Sequence, residues 1–156
     1  MLGRDMAALV AEDLPALMDR LRATERLPWS ATGRWPAVGG IYVLWEGSEA
    51  LYVGRTGNLK QRLRQHGQRS STHYSASFAF NLAKGEAQKS GLVTEGRKRG
   101  ELQADPAFSD CFERAKERVR QMHVTAIEVA SPILQTLFEV YVHLELGTRY
   151  NDFENH

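Results

Sequence analysis

Two short apolar segments constrain the fold of this chain more strongly than any other feature: GIYVLW, beginning at Gly40, and ALYVG, beginning at Ala50. Both are rich in the β-branched and aromatic residues that favour strands, and the residues between them, EGSE, favour a tight turn. A connection this short cannot cross over a sheet. We therefore expect an antiparallel hairpin.

The register of this hairpin decides where its two tyrosines lie. A loop over residues 47–49 would pair Tyr42 with Gly54 and put Tyr42 and Tyr52 on the same face of the sheet. A loop over residues 47–48 would put the two tyrosines on opposite faces. The sequence leaves both registers open.

Helical and strand patterns elsewhere complete an α+β fold. Apolar spacing over residues 5–24 predicts an N-terminal helix that Pro15 kinks or splits. We expect a small three-stranded mixed or antiparallel sheet flanked by helices, with the N-terminal helix and a helical insert added to it. The expected single domain, 1–156, divides into an N-terminal helical extension and connector (1–36), a core (39–67 and 122–152) and the insert (68–121).

The composition is that of one globular domain. The chain has 156 residues, of which 42% are hydrophobic and 25% charged, and this length suits one domain with one core. Its apolar runs are well short of the roughly 18 residues that indicate a membrane span, and its start lacks the pattern of a secretory signal. Cys111 is the single cysteine, which excludes an internal disulfide and a CxxC-type zinc site. We expect a cytoplasmic protein without a membrane partner.

The net charge of +1 is unevenly distributed along the chain. Residues 51–100 carry ten basic and two acidic side chains, whereas residues 101–156 carry five basic and ten acidic ones. A segment this basic indicates an anion-facing surface. A solvated face, balanced by the acidic C-terminal third, explains the same pattern equally well.

The short helix predicted for NLKQRLRQH carries two misplaced polar residues. Leu59, Arg62, Leu63 and His66 follow helical spacing and share one face, which puts an arginine and a histidine where apolar side chains are expected. An unpaired buried arginine is very costly. Arg62 must therefore reach solvent, pair with an acid, or lie at the edge of a cleft that binds an anion.

Glu139 is a second anomaly, because it lies within the apolar helical segment LQTLFEVYVHLEL. An unpaired carboxylate in such surroundings is penalised, so it needs a cation. A metal ion is one candidate. A structural salt bridge from Arg62 to Glu139, or to Glu145 near the helix end, is the alternative.

Six positions in order resemble the GIY-YIG nuclease superfamily. They are GIY at 40–42, YVG at 52–54, Arg62, His66, Glu139 and Asn151. The spacing between the last two resembles that in the nuclease domain of the bacterial excision-repair endonuclease, and a histidine at the fourth position resembles the homing endonucleases. Val53 replaces the usual isoleucine, and the usual proline before the final asparagine motif is missing.

The resemblance implies a metal-dependent endonuclease that hydrolyses the phosphodiester bonds of DNA. It implies Tyr42 as general base, Arg62 as phosphate ligand, and Glu139 as the side-chain ligand of one Mg²⁺ or Mn²⁺ ion. A phenol with a pKa near 10 is a poor base at neutral pH, so Arg62 and the metal would have to lower that pKa. Tyr52 and His66 would orient water or phosphate, and Asn151 would brace the site. Candidate contacts to the DNA backbone are Arg55, Lys60, Arg64 and Arg69.

Two other functions stay open at this stage. One is a nucleic-acid-binding module of the same fold without catalytic activity, and the other is a structural protein in which Arg62 and Glu139 form a buried ion pair. As a nuclease, one such centre cuts one strand, so double-strand cleavage needs a homodimer or two successive events. The sequence does not separate roles in DNA repair, restriction and mobile elements.

Overall fold

Residues 5–153 are described by a computed structural model, except for the side chain of Thr32. Residues 1–4 and 154–156 of the predicted single domain lie outside the described residues. Four antiparallel strands form one sheet in the order β1-β4-β2-β3. The strands are β1 (Leu27–Pro28), β2 (Gly40–Glu46), β3 (Glu49–Thr56) and β4 (His123–Glu128). The helices are α1 (Met6–Ala8), α2 (Leu14–Ala23), α3 (Leu59–Gly67), α4 (Ser77–Lys89), α5 (Arg99–Ala104), α6 (Pro106–Arg120) and α7 (Pro132–Leu146), with a 3₁₀ helix over Trp29–Arg34.

The α+β class predicted from the sequence is confirmed, but the predicted number of strands is wrong. The additional strand, β1, is two residues long and pairs Leu27 with Val124 and Pro28 with His123. It lies at the edge of the sheet, where a proline is tolerated because its missing N–H faces away from a neighbouring strand. A two-residue strand in a connector rich in proline and tryptophan has no periodicity by which the sequence could reveal it.

The N-terminal helical segment is divided ahead of Pro15, as the sequence predicts. A π-helical turn, Leu9–Asp13, lies between α1 and α2, and Pro15 lies in the first turn of α2. A proline is accommodated there because the first N–H groups of a helix have no partner within the helix.

The hairpin combines features of both registers considered for it. The turn is the two-residue one, since Glu46 pairs with Glu49 and Gly47 adopts a positive φ of 60°. A β-bulge follows, because Trp45 pairs with Ala50 but Leu44 pairs with Tyr52. The additional residue restores the pairing of position 42 with position 54. Bulges shift the register in this way without leaving a clear sequence signal.

Helices cover both faces of the sheet, and each face has its own buried cluster. On one face the helices of the insert and α3 pack against residues such as Tyr42, Leu44 and Leu51. On the other face α2 and α7 pack against Ile41, Val43 and other residues of the sheet. None of the helices within residues 5–153 combines the length and the apolar character that a membrane crossing requires.

The insert supplies most of one helical layer of the fold, which α3 completes. Phe78, Phe80, Phe108 and Phe112 are buried in the cluster that it shares with the sheet. The segment GLVTEGRKRGELQADP, which its turn residues and basic cluster indicate to be a surface loop, contains the helix α5. Leu102 explains the difference, because it is buried beneath that helix and gives it an apolar contact.

Candidate active site at the edge of the sheet

The glycine that ends the YVG motif, Gly54, is required by the position of Tyr42. The Tyr42 side chain lies across it, and a Cβ atom on Gly54 would lie only 2.2 Å from the Tyr42 hydroxyl oxygen and 2.3 Å from its Cζ. Any larger residue at position 54 would displace the tyrosine ring. The bulged register places Gly54 directly opposite Tyr42, so the local hairpin geometry positions this side chain.

Tyr42 and His66 form a buried hydrogen-bonded pair. The Tyr42 hydroxyl lies 2.6 Å from His66 Nε2, and the two residues are 1% and 0% exposed. Burial raises the pKa of Tyr42 above its ordinary value, Tyr52 adds to the rise, and the charge of Arg62 opposes it. Burial and the charge of Arg62 hold the pKa of His66 well below its usual range. Both side chains are therefore neutral near pH 7.

His66 Nδ1 is an unusual atom, because it is buried and has no hydrogen-bond partner among the described residues. His66 lies on α3, whose side chains Leu59 and Leu63 are also buried, as the helical spacing predicts. An unsatisfied buried polar atom costs about 1–3 kcal/mol. This cost distinguishes His66 from the apolar side chains that share its face of α3.

The buried neutral histidine predicts a specific dependence of stability on pH. The folded-state pKa of His66 lies below the value of about 6.5 in the unfolded chain, so the unfolded state binds more protons as pH falls and the fold loses stability. Between about pH 7.5 and about pH 5.5, the free energy of unfolding should fall by ~1.4 kcal/mol more in the wild type than in His66→Gln. Urea unfolding at the two pH values measures this difference. Parallel curves for wild type and His66→Gln would refute the prediction.

Arg62 lies half-buried on the same face of α3 and contacts neutral oxygen atoms. Its Nη1 donates to the Ser75 carbonyl (2.7 Å) and to Gln65 Oε1 (3.3 Å), and its Nη2 lies 3.5 Å from Ser77 Oγ. No carboxylate in the described ranges forms an ion pair with it.

The alternative of a structural salt bridge from Arg62 is therefore wrong. Glu145 pairs with Arg22 at 3.1 Å on the surface, and the positive charge that acts on Glu139 is that of Arg55, which opposes the rise that burial causes in the pKa of the Glu139 carboxyl group. The positive charge of Arg62 consequently acts on the tyrosines and on His66.

A cleft of about 270 Å³ opens beside this buried cluster, over the edge strand β3. Residues of β3, α4, α5, α7 and the C-terminal segment line it: Tyr52, Ser77, Phe78, Asn81, Arg99, Glu139, Tyr150, Asn151, Asp152 and Phe153.

The rings of Tyr42 and Tyr52 lie 6.3 Å apart between centroids, on one face of the sheet. Tyr52 lines the cleft and stacks on Phe78, whereas Tyr42 lies beneath the lining. Burial raises the pKa of the Tyr52 hydroxyl, an effect that the charge of Arg62 opposes.

Glu139 reaches the cleft from α7, which packs on the other face of the sheet. Burial raises the pKa of its carboxyl group, whereas the positive charge of Arg55 opposes the rise. A partly desolvated carboxylate that faces a cleft is a good ligand for a hard cation, and Mg²⁺ often uses only one or two carboxylates and keeps several waters. Across the described part of the chain, no group of three or more His, Cys, Asp or Glu side chains could together hold a metal ion. The donor set fits a hydrated divalent ion held by one carboxylate.

Asn151 closes the outer edge of β3. Its Oδ1 accepts from the Val53 N–H at 2.9 Å, and its Nδ2 donates to the Val53 carbonyl at 2.7 Å. The neighbouring Tyr150 N–H donates to the Leu51 carbonyl at 3.1 Å. The C-terminal segment is thereby fixed beside Tyr52.

The four residues predicted to contact the DNA backbone lie at different distances from Glu139 and the cleft. Arg55 lies next to Glu139, which lines the cleft, but neither Arg55 itself nor Lys60, Arg64 or Arg69 is part of the lining. Their side chains are exposed, and the Arg69 carbonyl accepts a hydrogen bond from the buried Lys116.

Four residues of the insert line the cleft together with Glu139 and are missing from the site predicted by sequence: Ser77, Phe78, Asn81 and Arg99. Phe78 fits the apolar face of α4 and gives no separate signal. Arg99 belongs to the basic triplet Arg97–Arg99, but only the fold distinguishes it from its two neighbours.

Comparison with known proteins gives one family match and two structural matches. The family described as the GIY-YIG catalytic domain matches residues 38–104. Two solved structures are similar to the chain, both of the GIY-YIG N-terminal endonuclease domain of UvrC from Thermotoga maritima, as point mutants bound to the catalytic divalent cation. One is 14% identical, with 86% of this chain and 97% of that chain covered and a TM-score of 0.44. The other is 16% identical, with the same coverages and a TM-score of 0.42. No curated protein sequence matches the chain.

Proposed function

Since the resemblance to the GIY-YIG family is confirmed over residues 38–104, we propose that this protein is a metal-dependent endonuclease that hydrolyses phosphodiester bonds in DNA. One observation carries the proposal. The neutral Tyr42–His66 pair is buried beneath a cleft that the partly desolvated Glu139 lines. Arg62, which has no carboxylate partner among residues 5–153, lies 3.5 Å from the hydroxyl oxygen of Ser77 in the same lining. These are the groups that proton transfer, phosphate binding and cation binding require.

The Tyr42–His66 pair handles the proton of the attacking water. Tyr42 is protonated at rest, so its oxygen can accept a proton from water only as its own proton moves to His66 Nε2, 2.6 Å away. The pair then carries one additional proton. Arg62 disfavours the imidazolium in the free protein, and a bound phosphate would offset that charge and favour the transfer. Because Tyr42 is buried, the attacking water must reach its hydroxyl from the cleft when DNA is bound.

Arg62 and Arg55 supply positive charge to the phosphate. The guanidinium of Arg62 is planar and permanently charged, and its geometry matches two phosphate oxygens. Arg55 is exposed on β3 beside Glu139. Positive groups placed where negative charge develops in the transition state contribute most to such reactions.

Glu139 would hold one divalent ion, Mg²⁺ or Mn²⁺. When bound there, the ion would stabilise negative charge on the phosphate and make a neighbouring water more acidic. Tyr52, stacked on Phe78, would orient the water or the phosphate through its hydroxyl. Asn151 would fix the strand that carries Tyr52.

A cleavage panel tests the proposal. Supercoiled, nicked, branched and single-stranded DNA are each incubated with the protein in Mg²⁺, in Mn²⁺ and in a chelator. We expect nicking of one strand at a time in either metal and none in the chelator, because each chain has one such centre. DNA binding without cleavage in either metal would identify the protein as an inactive nucleic-acid-binding module, and neither binding nor cleavage would refute both functions.

A further inference from the structure

The three consecutive basic residues of the insert have different surroundings. Arg97 forms an ion pair with Asp105 at 3.0 Å and also donates to the Val93 carbonyl. Lys98 is exposed at the start of α5. Arg99 lines the cleft that also contains Tyr52 and Glu139. Of the triplet, only Arg99 is directed to the candidate active site.

Arg99 is held in this position by the insert itself. Its Nη1 donates to the His73 carbonyl at 3.3 Å, and its Cζ lies 5.0 Å from the centre of the Phe80 ring. His73 is fixed in turn, since its backbone N–H donates to Gln103 Oε1 at 2.8 Å. No ion pair involves Arg99 in the part of the chain that the structure describes. Its charge is oriented by neutral groups and is available to an anion.

Arg62 and Arg99 hold the two ends of the same short segment. Arg62 donates to the Ser75 carbonyl and Arg99 to the His73 carbonyl, so two guanidinium groups are fixed relative to each other by three residues of chain. Arg62 already donates to several neutral acceptors, whereas Arg99 donates one hydrogen bond within the described residues. Arg99 therefore has more N–H groups to offer to a phosphate.

We propose that Arg99 is a second phosphate-binding residue of the cleft, contributed by the insert, which contacts the DNA backbone next to the phosphate that is cut. The inference rests on the proposed function. A guanidinium makes strong, two-pronged hydrogen bonds with phosphate. Arg99 lines the cleft and Arg62 contacts Ser77 of its lining, so we expect the two guanidinium groups to bind neighbouring phosphates of one strand. The insert thus contributes directly to substrate binding.

Three variants test this role: Arg99→Ala, Arg99→Lys and, as a matched control, Lys98→Ala, which removes the same charge one residue away. Cleavage of a labelled duplex gives kcat/KM, and fluorescence anisotropy at several salt concentrations gives the dependence of log Kd on log salt. We expect Arg99→Ala to lower kcat/KM by about 10- to 100-fold and to reduce the salt slope by about 1, the value for one lost phosphate contact. Arg99→Lys should keep the salt slope and lose part of the rate. Lys98→Ala should change kcat/KM by less than about 3-fold.

The outcomes separate this inference from the proposed function. Arg99→Ala with an unchanged salt slope, or with the same small effect as Lys98→Ala, would overturn the inference while leaving the nuclease intact. A lower melting temperature with an unchanged slope would mean that Arg99 only holds the insert, which also overturns it. A wild-type protein that neither binds nor cuts DNA would instead remove the proposed function, and the inference with it.

Discussion

Replacing Glu139 by glutamine should reduce Mg²⁺-dependent DNA cleavage by about 10³-fold or more, since it removes the carboxylate that α7 contributes to the cleft. Glutamine has nearly the same size and shape, so packing is preserved. Burial raises the pKa of this carboxyl group, which means that its charge is held at a cost to folding. The variant should therefore be as stable as the wild type or slightly more stable.

Glu145→Gln is the matched control, because Glu145 lies on the same helix but pairs with Arg22 on the surface. It should cleave DNA at the wild-type rate. Thermal melts add a measurement that does not depend on activity: Mn²⁺ should raise the melting temperature of the wild type and of Glu145→Gln, but not that of Glu139→Gln, because a ligand that binds only the folded state stabilises it. Wild-type cleavage by Glu139→Gln, or an equal Mn²⁺ shift in all three proteins, would show that the ion is held elsewhere.

Replacing Tyr42 by phenylalanine should lower kcat by about 10²- to 10⁴-fold, the range expected for a lost acid–base group. The ring that lies across Gly54 is kept, so the hairpin should fold normally. The change leaves His66 Nε2 without its partner at 2.6 Å, which should cost about 1–3 kcal/mol of unfolding free energy. Single-turnover cleavage together with urea unfolding measures both effects.

Tyr52→Phe is the control for this role, because Tyr52 lines the cleft, whereas it is Tyr42 that forms the hydrogen bond with His66. The stacking of Tyr52 on Phe78 does not need the hydroxyl, so the variant should remain stable and lose less activity than Tyr42→Phe. A larger loss in Tyr52→Phe would reverse the assignment and make the tyrosine that lines the cleft the general base.

Much of the fold and the position of Arg62 and His66 could be predicted from sequence, because short-range spacing determines them. The hairpin requires an antiparallel pair, and the 3.6-residue period of α3 puts Arg62 and His66 on the face that packs inward. The prediction that the six motif residues belong to one site depends on the resemblance to a family. Glu139 is notable by itself, since a carboxylate in an apolar helix needs an explanation.

Other features depend on contacts between distant parts of the chain. The hairpin register depends on a bulge at Leu51, a residue that is buried against the helices on one face of the sheet. Arg99 cannot be distinguished from Arg97 by sequence, because the ion pair with Asp105 and the hydrogen bond to the His73 carbonyl exist only in the folded protein. The burial of Tyr42, which raises its pKa, likewise results from the insert packing over the sheet.

The pairing of Asn151 with β3 has a consequence for association between molecules. β3 is an edge strand, and unpaired N–H and C=O groups on an edge can template pairing with a second chain. Asn151 and Tyr150 occupy the Val53 and Leu51 positions of that edge. The hydrogen bonds that hold the C-terminal segment at the cleft thus also protect the sheet from edge-to-edge aggregation. A chain that loses them exposes both the candidate active site and the unpaired edge of β3.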